Sequence, residues 1–191
     1  MVLNTFNDRA FTGLEAAIVL IAFVVVAAVF SYVVLGAGFF TTQKSQETVY
    51  KGVEQASSNI QMVGSLYGIA SASSTQIDII QFNVGLAPGS PPIDLSKMII
   101  AVSQPGTAGV TQLAYDASTY STTQYIATDP SASDATLPEL VGLKQAAIKF
   151  KISPALRKTN IISIELRPIV GAALPFSRTA PSAIEKIQVL N

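Results

Sequence analysis

The stretch "NDRAFTGLEAAIVLIAFVVVAAVF", residues 7–30, decides the fold. From Ala16 through Gln43 run 28 residues without a charge. Wound as an α-helix at 1.5 Å per residue, such a run extends roughly 42 Å, more than the ~30 Å hydrocarbon core of a bilayer. Val24, Val25 and Val26 have strand propensity in water. An apolar segment of this length nevertheless satisfies its own backbone in an apolar medium as a helix. Glu15 stands at the head of the run, a few residues after Asp8 and Arg9. A carboxylate carried into hydrocarbon costs about 2–3 kcal/mol, so its position needs a partner or a role.

Beyond Gln43 the helical pattern continues in amphipathic form. Val49, Val53, Ala56, Ile60 and Val63 recur at spacings of four and three on one face, while Lys44, Glu47, Lys51 and Glu54 supply polar ones. Glu47 and Lys51 are an i,i+4 pair with the acid first, worth about 0.3 kcal/mol. Between the two halves, Gly36-Ala37-Gly38 reads equally as a flexible joint, a close-packing site or small residues tolerated in a buried helix. The chain therefore divides into a short polar leader (1–10), too brief to fold, one long helix (11–62), and from residue 71 to 191 a region of strand periodicity.

In that last region Ile148, Phe150 and Ile152 alternate with Ala147, Lys149 and Lys151, and Ile162, Ile164 and Leu166 with Ser163, Glu165 and Arg167. Further strands are expected at about 76–86, 97–103, 110–116, 122–128, 168–176 and 183–190. Turn signals such as "APGSPP", "QPGTAG", "TDPSASD" and "RTAPSA" separate them. The expected fold is α+β: a long N-terminal hydrophobic helix followed by an antiparallel, Ig-like β-sandwich head.

Composition narrows the function. Lysine plus arginine and aspartate plus glutamate number 12 each, without a basic cluster, so no nucleic-acid partner is expected. Cysteine, histidine and tryptophan are absent. That removes disulfides, thiolate and imidazole metal ligands and histidine-based acid–base chemistry. There is no phosphate loop, nucleophile elbow or pair of catalytic carboxylates. No catalytic, cofactor or metal site is assigned. Asp78, Asp94, Asp116, Asp129 and Asp134 offer oxygen ligands for calcium or magnesium in principle. Without an EF-hand-like spacing, surface solvation is the preferred reading. Tyr115, Tyr120 and Tyr125 recur at intervals of five, matching neither strand nor helix faces, and are placed on a loop and its flanking strands.

Three readings of the apolar helix compete. A secretory signal peptide has a basic start and an apolar run of about 7–15 residues; here Asp8 offsets Arg9 and the run is about twice too long. A permanent single-span anchor fits the length, but Arg9 before the span and Lys44 and Lys51 after it leave its orientation open. The third reading starts from the acid. A cut after Ala10 would give Phe11 a fresh ammonium group and put Glu15 one helical turn away, near the N-terminal end of the helix dipole.

The residues "RAFTGLEAAIVLIAFVVVAAVFSYVVLGAGFFTTQKSQETV" resemble the N-terminal segment of archaellins, the archaeal flagellins of the type IV pilin superfamily, through about Glu54. The C-terminal "LRPIVGAALPFSRTAPSAIEKIQVLN" is similar in character to archaellin C-termini. The resemblance implies a class III leader recognised through Asp8, Arg9 and Gly13 and cut between Ala10 and Phe11 by a prepilin-peptidase-like membrane protease. Archaellin leaders often end in Gly, so Ala10 is a departure that leaves a cut after Arg9 open. It further implies a precursor in the cytoplasmic membrane, an archaellum assembly platform as partner, and an extracellular filament of copies of the chain. In that filament the helices would pack through Leu20, Phe23, Val26, Phe30 and Val34, with the Glu15 carboxylate paired to the Phe11 ammonium of another subunit. Archaellins are commonly N-glycosylated, yet Asn4, Asn7, Asn59, Asn83 and Asn160 all fail the sequon. O-glycans are conceivable on the Ser/Thr-rich stretch between Ser118 and Thr136, where a solvated loop is the plainer reading. The alternatives are an adhesion pilin or pseudopilin, a membrane-anchored β binding module, and last an anchored hydrolase.

Overall fold

The computed structural model describes residues 5–70, 76–132 and 135–191, with side chains from residue 13 onward. Helix α1 spans Thr5–Ser57. It starts ahead of the expected cut: no Gly or Pro interrupts residues 5–12, so the leader residues from Thr5 onward extend the helix. The chain divides into two compact units, the first ending at Lys51 and the second spanning Gly52–Asn191.

The helix ends at Ser57, short of the expected 62, and strand β1 occupies Ile60–Ile69. Ile60 and Val63, read above as helix-face residues, therefore lie on a strand. The physical reason is local. Ser57-Ser58-Asn59 offer the backbone side-chain alternatives to helical bonding, and Ser90 supplies partners for the freed groups. Its hydroxyl donates to the Ser57 carbonyl at 2.8 Å and accepts from the Asn59 amide at 3.2 Å. A register shift in β1 between Val63 and Tyr67, beside Gly64 at φ +83°, masks the alternation in the sequence.

Among the described residues the remaining strands are β2 (Ile77–Leu86), β3 (Ile93–Asp94), β4 (Ile99–Ser103), β5 (Thr111–Tyr115), β6 (Gln124–Asp129), β7 (Ala135–Thr136), β8 (Glu139–Leu140), β9 (Gln145–Leu156), β10 (Ile161–Arg167), β11 (Leu174–Thr179) and β12 (Ile187–Leu190), with a 3-10 turn at Leu95–Lys97. The main sheet runs β11-β10-β4-β5-β6-β9-β2-β1-β12, with β7 added on β6; β3 and β8 form a separate ribbon. All of these pairings are antiparallel except β5–β6. The strand expected at 168–176 begins only at Leu174, because Pro168 and the positive-φ Gly171 hold the preceding residues in a loop.

One continuous sheet thus forms both layers. The rings of Phe82 on β2 and Phe176 on β11 meet edge-on at 5.4 Å, and Phe82 meets Phe150 of β9 at 6.4 Å. Thr179 and Asn191 exchange both backbone hydrogen bonds, joining the two end strands and closing part of the exposed edge. Ile80, Phe82, Tyr125, Ile148, Phe150, Ile162 and Ile164 are fully or almost fully buried. The Tyr125 hydroxyl donates within the core to the carbonyl of Leu95 or Met98, at 2.6 and 2.7 Å, and burial pushes its pKa up. Its ring packs edge-on against Tyr115 at 5.8 Å.

Gly171 carries the geometry that fixes the helix exit. Its φ is +106°, and a Cβ there would strike the Ser58 carbonyl and approach the Ser58 Cβ to 2.8 Å. Gln55 donates to the Gly171 carbonyl at 3.3 Å. Gly171→Ala is expected to destabilise the β domain by about 2–3 kcal/mol through backbone strain and collision. Thermal unfolding followed by β-sheet circular dichroism measures it; a wild-type midpoint would refute the close approach.

Candidate assembly surface

Leu20, Phe23, Val26, Phe30 and Val34 are exposed on α1 by 51–71%. At about 100° per residue these five fall within one third of the helix circumference, and Glu15 lies at the margin of that sector. The other faces are no more polar. Ile18, Val19, Ile21, Val24, Val25, Val29, Val33 and Leu35 are exposed too. A helix apolar on all sides belongs in the middle of a bundle or in a membrane. Removing each large apolar side chain from water yields about 1.5–3 kcal/mol. Summed over residues 14–40, the driving force toward a nonaqueous partner is on the order of tens of kcal/mol.

Glu15 is exposed and borders a shallow depression with Ala16, Val19, Leu20, Phe23 and Val24. Asp8, Arg9, Ala10 and Phe11 lie within the helix, but their side chains fall outside the described residues, as does the ammonium group that a cut would create. Gly13, Gly36 and Gly38 have nothing within 4 Å of an added Cβ. Within the chain itself, then, no close packing requires them. Thr41 and Thr42 donate to the carbonyls of Ala37 and Gly38 at 2.8 and 2.9 Å, keeping their hydroxyls satisfied inside the apolar run. Lower down, Glu47 is bridged by Lys44 at 2.6 Å and Lys51 at 2.7 Å.

The β domain offers no rival chemistry among the described residues. No three metal-ligating side chains converge there. Asp94 pairs with Lys97 at 2.8 Å, and Asp129 lies 3.8 Å from Lys144. Asp116 accepts from the amides of Ser118 and Thr119, which hold its carboxyl below the ordinary range. Asp78 is also engaged, and Asp134 lies outside the described residues. The three tyrosines sit on a loop and its flanking strands, with Tyr120 beneath Lys149 and Lys151. Ser118, Thr119, Thr122 and Thr123 are solvent-exposed. Sequence reasoning missed Ser58, Ser90 and Gly171, which fix the helix exit; the Ser-Ser-Asn triplet after the amphipathic stretch was the available signal.

The sequence model described as archaeal-type flagellin matches residues 10–178. The chain belongs to the archaeal-type flagellins. It is 41% identical over 198 residues to the probable flagellin 1 of Archaeoglobus fulgidus, covering 96% of each chain. Its fold matches a chain in the structure of the archaeal flagellum of Methanospirillum hungatei strain JF1 with a TM-score of 0.74 and 34% identity, over 94% of this chain and 99% of that one. The crystal structure of archaeal flagellin FlaB1 from Methanocaldococcus jannaschii shares the fold at 17% identity and a TM-score of 0.57, covering 70% of this chain and 96% of that one.

For this family member the helix surface can be separated from the β domain by mutation. The Phe30 side chain stands exposed on the helix, so Phe30→Asp is expected to leave the thermal unfolding of the β domain unchanged. The same change places an acid in the apolar surface at a cost of about 2–3 kcal/mol per copy and is expected to abolish recovery of the chain in sedimentable polymer. Normal polymer yield would rule out this surface.

Proposed function

We infer that the chain is a structural subunit that polymerises into the filament of the archaellum, the swimming organelle, and is not an enzyme. The observation that carries this is a helix whose apolar side chains are exposed on every face, in a chain that matches a solved archaeal flagellum subunit over nearly its whole length. Before assembly the helix lies in the cytoplasmic membrane; after assembly it packs among the helices of other copies. The exchange trades lipid contacts for protein contacts, so side-chain packing and polar pairing decide it rather than the hydrophobic effect.

The leader ends at Ala10. A prepilin-peptidase-like membrane protease removes residues 1–10, and an assembly platform extracts the mature chain. The Phe11 ammonium then compensates the Glu15 carboxylate of a neighbouring copy, since an unpaired buried charge costs several kcal/mol. The exposed Ser118, Thr119, Thr122 and Thr123, with Ser131 and Thr136, are candidate sites for O-glycans.

N-terminal sequencing of sheared filaments is expected to begin at Phe11. Recovery of only the full-length chain, confined to membranes, would overturn the reading. Glu15→Ala is expected to be processed normally yet to yield at least tenfold less filament; unchanged yield would remove the proposed pairing. Deleting the chain is expected to abolish swimming while leaving attachment to surfaces intact. The opposite outcome would favour an adhesion pilin.

A further inference from the structure

The outer face of the β domain carries an apolar stripe that the core does not use. Ile187 of β12, Ile69 of β1 and Ile79 of β2 are neighbours across three strands, and Val189 sits beside Tyr67 in the next outward row. Ile187 is 60% exposed, Val189 42% and Tyr67 41%. The inward alternates in the same strands, Leu66, Ile80 and Leu190, belong to the core cluster, whereas Ile79 is buried at 8% exposure outside that cluster and forms the floor of the stripe. Lys151, exposed and aligned with Ile79 on β9, borders the stripe.

A second apolar feature is a knob. The turn at 141–144, between β8 and β9, is closed by the Lys144 amide donating to the Val141 carbonyl at 3.2 Å, with Gly142 at φ +60°. Lys144 also reaches toward Asp129, tying the turn to β6. This built turn holds Leu143 outward at 94% exposure, with Val141 exposed beside it. The exposed acid Glu139 lies at its base.

The two features cannot meet within one chain. On β9, Gln145 follows the turn directly, while the stripe aligns with Lys149 and Lys151, four to six residues on. At about 3.3 Å per residue that is a separation of roughly 13–20 Å. A contact between two different, separated surfaces of identical chains is head-to-tail, and in a helical filament it repeats without closing. Charge of opposite sign faces across the pair: Glu139 flanks the knob, whose Lys144 is drawn toward Asp129, and Lys151 flanks the stripe, where Glu185 and Lys186 offset each other.

We propose that the stripe formed by Tyr67, Ile69, Ile187 and Val189, floored by the buried Ile79, receives the turn carrying Val141 and Leu143 of a second copy of the chain, an outer contact that adds to helix packing. This rests on the filament reading above. Burial of both apolar surfaces drives the contact, and its small size suits it to tuning stiffness and thermal resistance rather than to nucleating assembly.

The absence of cysteine makes a direct test available. Filaments sheared from cells expressing the full chain with both Leu143→Cys and Ile187→Cys are treated with a short bismaleimide and resolved under denaturing conditions. A ladder running beyond trimers is expected, while either single substitution leaves monomers. Filaments of normal appearance that give no ladder would overturn the knob contact and leave the filament reading standing; a chain that enters no filament, with or without the substitutions, would overturn both. Independently, Leu143→Asp, at an exposed turn position, is expected to leave the unfolding of the β domain unchanged and to shift filament disassembly to lower temperature. An unchanged disassembly temperature would likewise overturn the contact.

Discussion

The apolar surface of α1 has no counterpart on the helix itself, and this single imbalance governs the rest of the molecule. A β domain with its own buried core and nearly joined sheet ends can stand in water. The helix cannot. Its side chains stay uncovered around the whole circumference between residues 14 and 40, so the helix needs a nonaqueous surrounding. On the proposed pathway, membrane and filament core are two solvents for the same surface.

Against that background Glu15 changes meaning. In a permanent anchor it would be a cost at the edge of the span. On the proposed cut it would stand at the fifth position of the processed chain and act as a selector, because a carboxylate tolerates burial only where an opposite charge is supplied. Packing between apolar helices fixes orientation weakly, and one ionic requirement per copy can set the register. The β domain contributes in another way. Its sheet ends are tied by Thr179 and Asn191, which limits strand-to-strand aggregation and leaves side-chain contacts to determine how neighbouring copies meet.

Much of this was legible in the sequence because the signals were strong and local. Twenty-eight uncharged residues admit few structures. β2, β4, β5, β6 and β10 emerged close to their expected positions, as their alternation is clean and turn residues bound them. β1 was hidden: Gly64 and its bulge break the period, and the preceding helix-compatible spacing of Val53, Ala56, Ile60 and Val63 runs straight through the boundary. Ser90 and Gly171, which define that boundary, lie 33 and 114 residues beyond Ser57, and long-range capping leaves no local pattern. β3, β7 and β8 are two residues each, below the length at which a period can be read. The stripe on β1, β2 and β12 depends on register among distant strands, so only the assembled sheet reveals it.

The central claim is that the helix surface left open by its own chain is covered by other copies. Hydroxyl-radical footprinting of lipid-free filaments tests it directly, with the unfolded chain as reference. Phe23, Phe30 and Phe39 are expected to be strongly protected in the filament, while exposed turn residues such as Pro88 remain labelled. Labelling of those three phenylalanines as heavy as in the unfolded chain would contradict the account.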